Sequence, residues 1–455
     1  MRQSKSEKKL ARVPFRVSRL MEFCNLRELT NQTGHDCREW PLVILKECID
    51  NGLDNCEEHG VAPVICATVA PGVISIEDNG SGLSSEIIGG VIDYGVRVSS
   101  REAYCSPTRG AQGNALKTIL AMGYVLDEAR GDDACGHTTI EARGVAHDIE
   151  FTVDHVRQQP QIKHHTKPSL VKQGTRITVR LPHFSDLDLL KYCESSLARI
   201  CNDYLWVNPH LAFRLIWNDK LIIDEAATDP LWCKWTPSRP TSAHWYDFGR
   251  LQRYMAAHIA HRETITVREF VSEFYGMSGS AKQKQVLADT GASHLKLIDF
   301  FGRTKINKEN ISKLLQALQK HSRKLRPDIL GVIGEAHFRA RIEAAGGAME
   351  AFKYRYTIDE IRGIPHVSEF AFAPHRDGLV VSEGAPTRKL VAGVNWSASV
   401  GSHPFRQLGR SGQSLDGVMA DLHANASQPV IAVLHHACPR VTYTDRGKSS
   451  IAIEG

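Results

Sequence analysis

Nowhere in the 455 residues do about 18 apolar side chains follow one another, so the sequence offers no membrane-spanning helix. The first 19 residues are rich in Lys and Arg (Arg2, Lys5, Lys8, Lys9, Arg12, Arg16, Arg19) but have no apolar segment behind them. They fit neither a secretory signal nor an anchor, and a cytoplasmic location is expected. The tail reads equally as a solvated arm or as one that touches DNA. The eleven cysteines contain no Cys-x-x-Cys pair and are scattered and odd in number, which suggests neither a disulfide framework nor a zinc ribbon. They read as small, reduced, mostly buried side chains. The 21 histidines include the doublets His164-His165 and His435-His436, but neither comes with a spaced cysteine or carboxylate set, so no metal role is expected for them. There is little excess of charge of either sign, with 56 Lys and Arg against 51 Asp and Glu for a net charge of +5. That suits a protein that meets nucleic acid without requiring it to do so. With 42% hydrophobic and 24% charged residues the chain is globular, and its length calls for two or three domains.

After the tail, residues 41–58 read as a helix with Pro41 in its first turn and Gly60 just past its end. Leu45, Ile49, Leu53 and Cys56 form the expected buried stripe. Glu47, Asn51 and Asp54, at i, i+4 and i+7, share another face. Residues 64–69 and 73–77, separated by Pro71-Gly72, form a hairpin pattern. The second run ends in Asp78-Asn79-Gly80-Ser81-Gly82, where glycine freedom is placed beside a carboxylate. Further on, Arg109-Gly110-Ala111-Gln112-Gly113-Asn114-Ala115-Leu116-Lys117 leads into an apolar helix, and its N–H groups suit phosphate. It is not a Walker A loop, because Leu116 stands where glycine must precede the lysine.

Each motif is weak alone, and their order and spacing carry the signal. A Glu-x-x-x-Asn helix is followed, 27 positions after Asn51, by Asp-x-Gly-x-Gly at a strand end, then by a glycine-rich loop, then by Gly174-Thr175 opening a strand over 176–181. This arrangement resembles the GHKL, or Bergerat-fold, ATPases, and in particular the ATPase (B-type) component of type IIB topoisomerase VI. The resemblance implies an α+β chain with a Bergerat-type ATPase sandwich, an antiparallel-rich mixed sheet covered on one side by helices. It implies ATP and Mg2+ as ligands. Asn51 would be the Mg2+ ligand, Glu47 the base that orients and deprotonates water, and Asp78 the acceptor of the adenine amino hydrogen, with Gly82 leaving space for the ring. Thr175 would close the base pocket. Asp54, Gly80, Arg109, Gly110, Gln112, Gly113, Asn114 and Lys117 complete the ATP-binding set, with Gly110, Gly113 and Lys117 around the phosphates. Gly52 and Asn55 depart from the family's small residues, and Ala115 replaces the last glycine of the usual box.

From about Ala226 a Trp- and Pro-rich stretch, Trp232, Trp235, Pro237, Pro240 and Trp245, reads as a linker packed against the ATPase region. Residues 247–325 look mainly helical, including 267–275 and 308–321, and residues 276–282 resemble the turns of a helix-two-turns-helix module. Lys282, Lys284, Lys296, Arg303, Lys305 and Lys308 read as a solvated basic face or as contacts to DNA phosphates. Beyond Pro327 strands and helices alternate, and residues 429–437 read as an apolar strand. The segments 392–397 and 436–449 resemble a transducer domain, in which a loop lysine, here Lys448, reaches the γ-phosphate. The expected organisation is thus a basic tail (1–20), an ATPase domain (21–225), a linker and helical domain (226–328) and a transducer-like domain (329–455). Seven residues follow Lys448 and no DNA-cleaving module is recognisable. The resemblance therefore implies an ATP-dependent homodimeric clamp, contact with DNA, a separate cleaving partner of the topoisomerase VI A type, and no membrane. The rival is a slow or non-hydrolysing ATP sensor that recruits an effector in a mobile-element or defence system.

Overall fold

The computed structural model describes residues 21, 23–94, 104–109, 115–181, 187–376, 387–408, 412–444 and 450–453. Helix α1 (Leu26–Thr33) leads into α2 (Trp40–Glu58), which carries Pro41 in its first turn and buries Leu45, Ile49, Leu53 and Cys56 as the periodicity predicts. The hairpin follows as β1 (Val64–Ala70) and β2 (Val73–Asp78), then α3 (Ser85–Ile92) and α4 (Ala115–Asp127). Strands β3 (Gly136–Ala142), β4 (Val145–Asp154), β5 (Gln159–Pro168) and β6 (Thr175–Arg180), helix α5 (Leu187–Val207), and strands β7 (Ala212–Trp217) and β8 (Lys220–Glu225) complete the first half. The eight strands form one sheet in the order β5-β4-β3-β6-β2-β1-β7-β8, antiparallel except for the β1/β7 pair. The mixed, antiparallel-rich α+β sheet is therefore the one expected.

Alternation along these strands decides which face is covered. Ile74, Ile76, Ile140, Ile177 and Val179 point to the side where α2, α4 and α5 bury Leu53, Leu120 and Leu197 in one core. The opposite face is polar and cross-linked: Ser75 bonds Thr178 at 2.9 Å, and Arg176 bridges Glu77 at 2.7 Å and Glu141 at 3.3 Å.

The second half opens with α6 (Phe248–His261), α7 (Val267–Ser272), α8 (Ser280–Thr290), α9 (Leu297–Phe301), α10 (Lys308–His321) and α11 (Glu335–Ala344). Strands β9 (Lys353–Ile361), β10 (Ile364–Pro374), β11 (Lys389–Val394), β12 (Ser397–Ala398), β13 (Phe405–Leu408), α12 (Leu415–Asp421), β14 (Val430–Ala437), β15 (Thr442–Tyr443) and β16 (Ile451–Ile453) follow. They make a sheet of order β12-β11-β14-β10-β9 and a smaller one of order β13-β16-β15. Trp235 and Trp245, each 1% exposed, sit in a second core that holds Trp206 and Val207 of α5 together with Phe270, Phe274 and Leu330. Aromatic side chains of that size pack where a core is available, whatever the local proline content. Conversely, Ala398 and Val400 from the second half sit in the first core, so the two halves interlock at the β12 turn.

Candidate functional site

The site grows from the meeting of α2 with the end of β2. Gly52 lies where helix and strand approach so closely that a Cβ would stand 3.0 Å from Ile65 Cδ1 and 3.1 Å from Asp78 Cβ. The loop after Asp78 is held by its own carboxylate, which accepts the Gly80 N–H at 2.8 Å, and by the Gly174 N–H bonded to Gly80 O at 2.9 Å. Gly82 (φ 76°) and Gly174 (φ 74°) are needed as glycines: a Cβ on the first would lie 2.8 Å from Gly174 O, and one on the second 1.8 Å from Asp78 O. Thr175 is buried and its Oγ accepts the Leu83 N–H at 3.2 Å, while Ser81 donates to Asn55 on α2 at 3.0 Å. Burial drives the Asp78 carboxyl up to about 6, against the lowering effect of bonds from Gly80, Thr175 and Asn55. Thus Asp78, Gly80, Gly82 and Thr175 are brought together under α2, as their spacing predicts. At Gly82 the structure adds a backbone reason for glycine, the crossing with Gly174.

On α2 itself, Asn51 is exposed and precedes Gly52, which packs on Asp78, and Glu47 lies one turn earlier, partly buried, with Lys46 Nζ 3.8 Å from its Oε1. Lys46 also donates to Asp50 at 2.7 Å. Asp50, 2% exposed, further accepts Tyr204 OH at 2.6 Å and Ser397 Oγ at 2.8 Å, which ties α2 to α5 and to β12.

Three predicted residues go elsewhere. Arg109 and Asp54 do not face the cradle; they are sealed in a buried ionic cluster. The Arg109 guanidinium donates to Asp54 at 2.8 Å, to both oxygens of Glu57 at 2.7 Å, to Asn208 at 2.5 Å and to Trp396 O at 3.2 Å. Lys234 Nζ stands 2.8 Å from Glu57 and 5.0 Å above the Trp396 ring, and His210 reaches Glu57 at 2.9 Å. Burial alone would push Glu57 up, but Arg109, Lys234 and His210 outweigh it and hold the carboxyl well below its usual range. Two carboxylates therefore face a guanidinium and an ammonium, with His210 kept neutral by burial. Lys117 is also turned away: 2% exposed, it donates to Asp93 O at 2.6 Å and lies 5.6 Å from the Tyr94 ring.

Gly110, Gln112, Gly113, Asn114 and Lys448 lie outside the described residues. The stem of the hairpin that contains Lys448 is described, with Thr442 and Tyr443 paired to Ala452 and Ile451. Tyr443 lines a small cleft with Lys46, Arg109 and Ser397, which places that stem against the Glu47 end of α2. Sequence reasoning missed Asp50, Glu57, Asn208, His210, Lys234 and Ser397. The only advance signal was the acidic spacing Asp50, Asp54, Glu57 alongside the apolar stripe.

No family model matches the chain. Among curated proteins, the B-type component of type 2 DNA topoisomerase 6 from Archaeoglobus fulgidus is 22% identical over 439 residues, covering 90% of this chain and 66% of that protein. The protein of the same name from Natronomonas pharaonis is 26% identical over 227 residues, 48% of this chain and 26% of the relative. The chain thus spans just under two thirds of the first relative and about a quarter of the second. Solved structures with overlapping folds include the ATPase region of Saccharomyces cerevisiae topoisomerase II (9% identity, TM-score 0.39, 90% of this chain and 76% of that one) and the Aquifex aeolicus MutL ATPase domain complexed with ADP (11%, TM-score 0.32, 86% and 89%). Among the described residues no helix is long and apolar enough to cross a membrane. Over 90% of its length the chain is thus similar to the B-type component of type 2 DNA topoisomerase 6.

Proposed function

We propose that the chain binds and hydrolyses ATP and acts as a nucleotide-gated dimerisation clamp, working on DNA with a separate cleaving partner as the ATPase half of a topoisomerase VI-like assembly. The observation that carries this reading is the cradle: a buried carboxylate at the end of β2, two glycines at a backbone crossing, a buried Thr175, and, packed on Asp78 through Gly52, the helix that carries Glu47 and Asn51. Asp78 would accept the adenine amino hydrogen, a recognition that a buried acceptor makes specific because a base lacking the donor leaves it unpaired. Glu47 would hold and deprotonate the attacking water, and its position beside Lys46 keeps a cation near that carboxylate. The exposed Asn51 amide is a hard oxygen donor that suits Mg2+, which takes one or two protein ligands and completes its shell from phosphates and water. Bound there, Mg2+ would neutralise phosphate charge. Gly110, Gln112, Gly113 and Asn114 are assigned to the phosphates. Lys448 is assigned to the γ-phosphate from the hairpin whose stem abuts α2. The four segments expected from sequence (1–20, 21–225, 226–328, 329–455) are kept as the working division, the ATPase domain being the one that dimerises.

The deciding experiment is phosphate release from ATP with Mg2+, wild type against Glu47→Ala, with and without duplex DNA. Turnover that DNA stimulates and that stalls in a variant still able to bind ATP supports the clamp. Absence of ATP binding by the wild type overturns it. One observation favours the rival, a slow sensor that recruits an effector: Arg109 and Lys117, the two described cations flanking the phosphate loop, are both spent on protein partners. Tight ATP binding without measurable turnover, indifferent to DNA, identifies that case.

A further inference from the structure

Strands β10 and β14 pair antiparallel with Val367 opposite Ala437 and Ser368 opposite His436. Continuing that register by one residue sets His366 against Cys438. Because side chains alternate, His366, Ser368, His436 and Cys438 all project from one face of the sheet. Asp359 of β9 pairs with His366 in the neighbouring ladder and so extends the same row.

The three donors converge. His366 Nδ1 is 3.4 Å from His436 Nε2, Cys438 Sγ is 3.9 Å from His366 Nε2, and one ligand atom from each residue lies within 4.8 Å of the others. Zinc bonds of about 2.0–2.1 Å to nitrogen and 2.3 Å to sulfur place tetrahedral ligand atoms roughly 3.3–3.7 Å apart. The two short contacts end on different nitrogens of His366, so that partly exposed ring has to turn and the set contract by about 1 Å for one ion to take a single atom from each residue. The surroundings fix the orientation each ligand would need. Ser368 Oγ lies 2.8 Å from His436 Nδ1, which occupies that nitrogen and turns Nε2 inward. The Cys438 backbone is locked on both sides by Asn395, whose side chain accepts its N–H at 2.8 Å and donates to its carbonyl at 3.0 Å. Burial pushes the Cys438 thiol up, and the Arg440 N–H, 3.3 Å from the sulfur, offsets part of that. His436 and Cys438 are buried, whereas His366 is partly exposed and leaves an entry path.

We propose that His366, His436 and Cys438 bind one transition-metal ion of the Zn2+ class, stapling the end of β14 to β10 just before the chain enters the β15/β16 hairpin. Two neutral imidazoles and one thiolate suit a borderline-soft ion and leave its fourth position for water. On binding, the Cys438 sulfur–hydrogen bond breaks, its proton passes to solvent, and the sulfur–metal bond forms. The site corrects the expectation that His435-His436 has no cysteine partner, since Cys438 is two positions on and His366 comes from the paired strand.

The test uses the full chain, stripped of metal and titrated with Zn2+ against a chromophoric chelator, and in parallel with Co2+ to detect thiolate-to-cobalt absorption. Expected are one equivalent of Zn2+, a thiolate band with Co2+ that Cys438→Ser abolishes, and affinity at least about tenfold weaker in His366→Gln. Ser368→Ala should weaken binding by about tenfold, the usual cost of losing an orienting partner. His366 is partly exposed, so His366→Gln should keep the fold, as circular dichroism can verify, and it decides the matter if Cys438→Ser does not fold. No stoichiometric Zn2+, a cobalt complex lacking the thiolate band, or wild-type affinity in His366→Gln overturns the proposal.

Discussion

Helix α2 carries two polar rows that differ in everything but spacing. On one, Asn51 is exposed, Asn55 bonds Ser81 of the Asp78 loop and Glu47 is partly buried; on the other, Asp50, Asp54 and Glu57 are wired to Tyr204, Ser397, Arg109, Lys234 and His210. At about 100° per residue, and taking Glu47 as zero, Asn51 and Asn55 fall near +40° and +80°, while Asp54, Asp50 and Glu57 fall near −20°, −60° and −80°. Asp54 is only about a fifth of a right angle from Glu47, yet it belongs to the buried row. The boundary between a working face and a fastening face therefore runs between two carboxylates that sequence groups together.

That contrast can be broken from the fastening side with the largest effect. Arg109→Ala leaves Asp54 and Glu57 buried with only Lys234 and His210 to offset them, and loss of one partner from such a cluster costs about 3–5 kcal/mol. The expected result is a large drop in the urea midpoint or failure to recover folded protein. Asn51→Ala, on the other row, should change stability by no more than about 0.5 kcal/mol while abolishing Mg2+-dependent nucleotide binding. Similar melting curves for the two variants would show that the rows are not distinct.

From the working side, Glu47→Ala should bind an ATP analogue normally and lose turnover by about 100-fold to 10,000-fold, the usual contribution of a positioned base. Phosphate release at saturating ATP checks this, and an unchanged rate would remove Glu47 from the chemistry. A smaller effect is expected at the link between the halves. Ser397→Ala deletes one of the bonds to Asp50 but leaves Lys46 and Tyr204 in place, so a loss of about 1 kcal/mol without change in nucleotide affinity is expected by denaturation and binding titration.

Local periodicity made α2, the β1/β2 hairpin and β14 legible within one or two residues, because each buries a stripe whose spacing is written in adjacent positions. The Asp78, Gly82 and Thr175 cradle was legible too, since glycine beside a carboxylate at a strand end is a local backbone requirement. The fastening row was not. The partners of Glu57 lie at 109, 210 and 234, and those of Asp50 at 204 and 397, and nothing local in the sequence encodes those pairings. Arg109 was placed in the ATP-binding set from its place beside a glycine-rich loop, and nothing local announces its ion pairs with Asp54 and Glu57. Composition marked the Trp-rich stretch as a packed segment, but which core receives Trp235 and Trp245 is set by distant residues such as Phe270 and Leu330.

The finest probe of the working row is pH. Asp78 is raised by burial to about 6, so its carboxylate is largely ionised at pH 7.5 and largely protonated at pH 5. A protonated carboxyl is a poorer acceptor for the adenine amino group than a carboxylate, and binding should weaken as pH falls through about 6, by up to about tenfold for each unit below it. Adenosine is the right ligand because it has no phosphate whose own titration would mask the effect. The sign for folding is separate and opposite in sense: a carboxyl raised in the folded state favours folding most below its unfolded value, and that contribution is lost as pH rises from about 4 to about 6. Acid should therefore weaken the ligand at this position while slightly favouring the fold around it. An adenosine affinity that stays flat between pH 7.5 and 5, with the fold intact, would take Asp78 out of base recognition and leave its bond to Gly80 as its whole purpose.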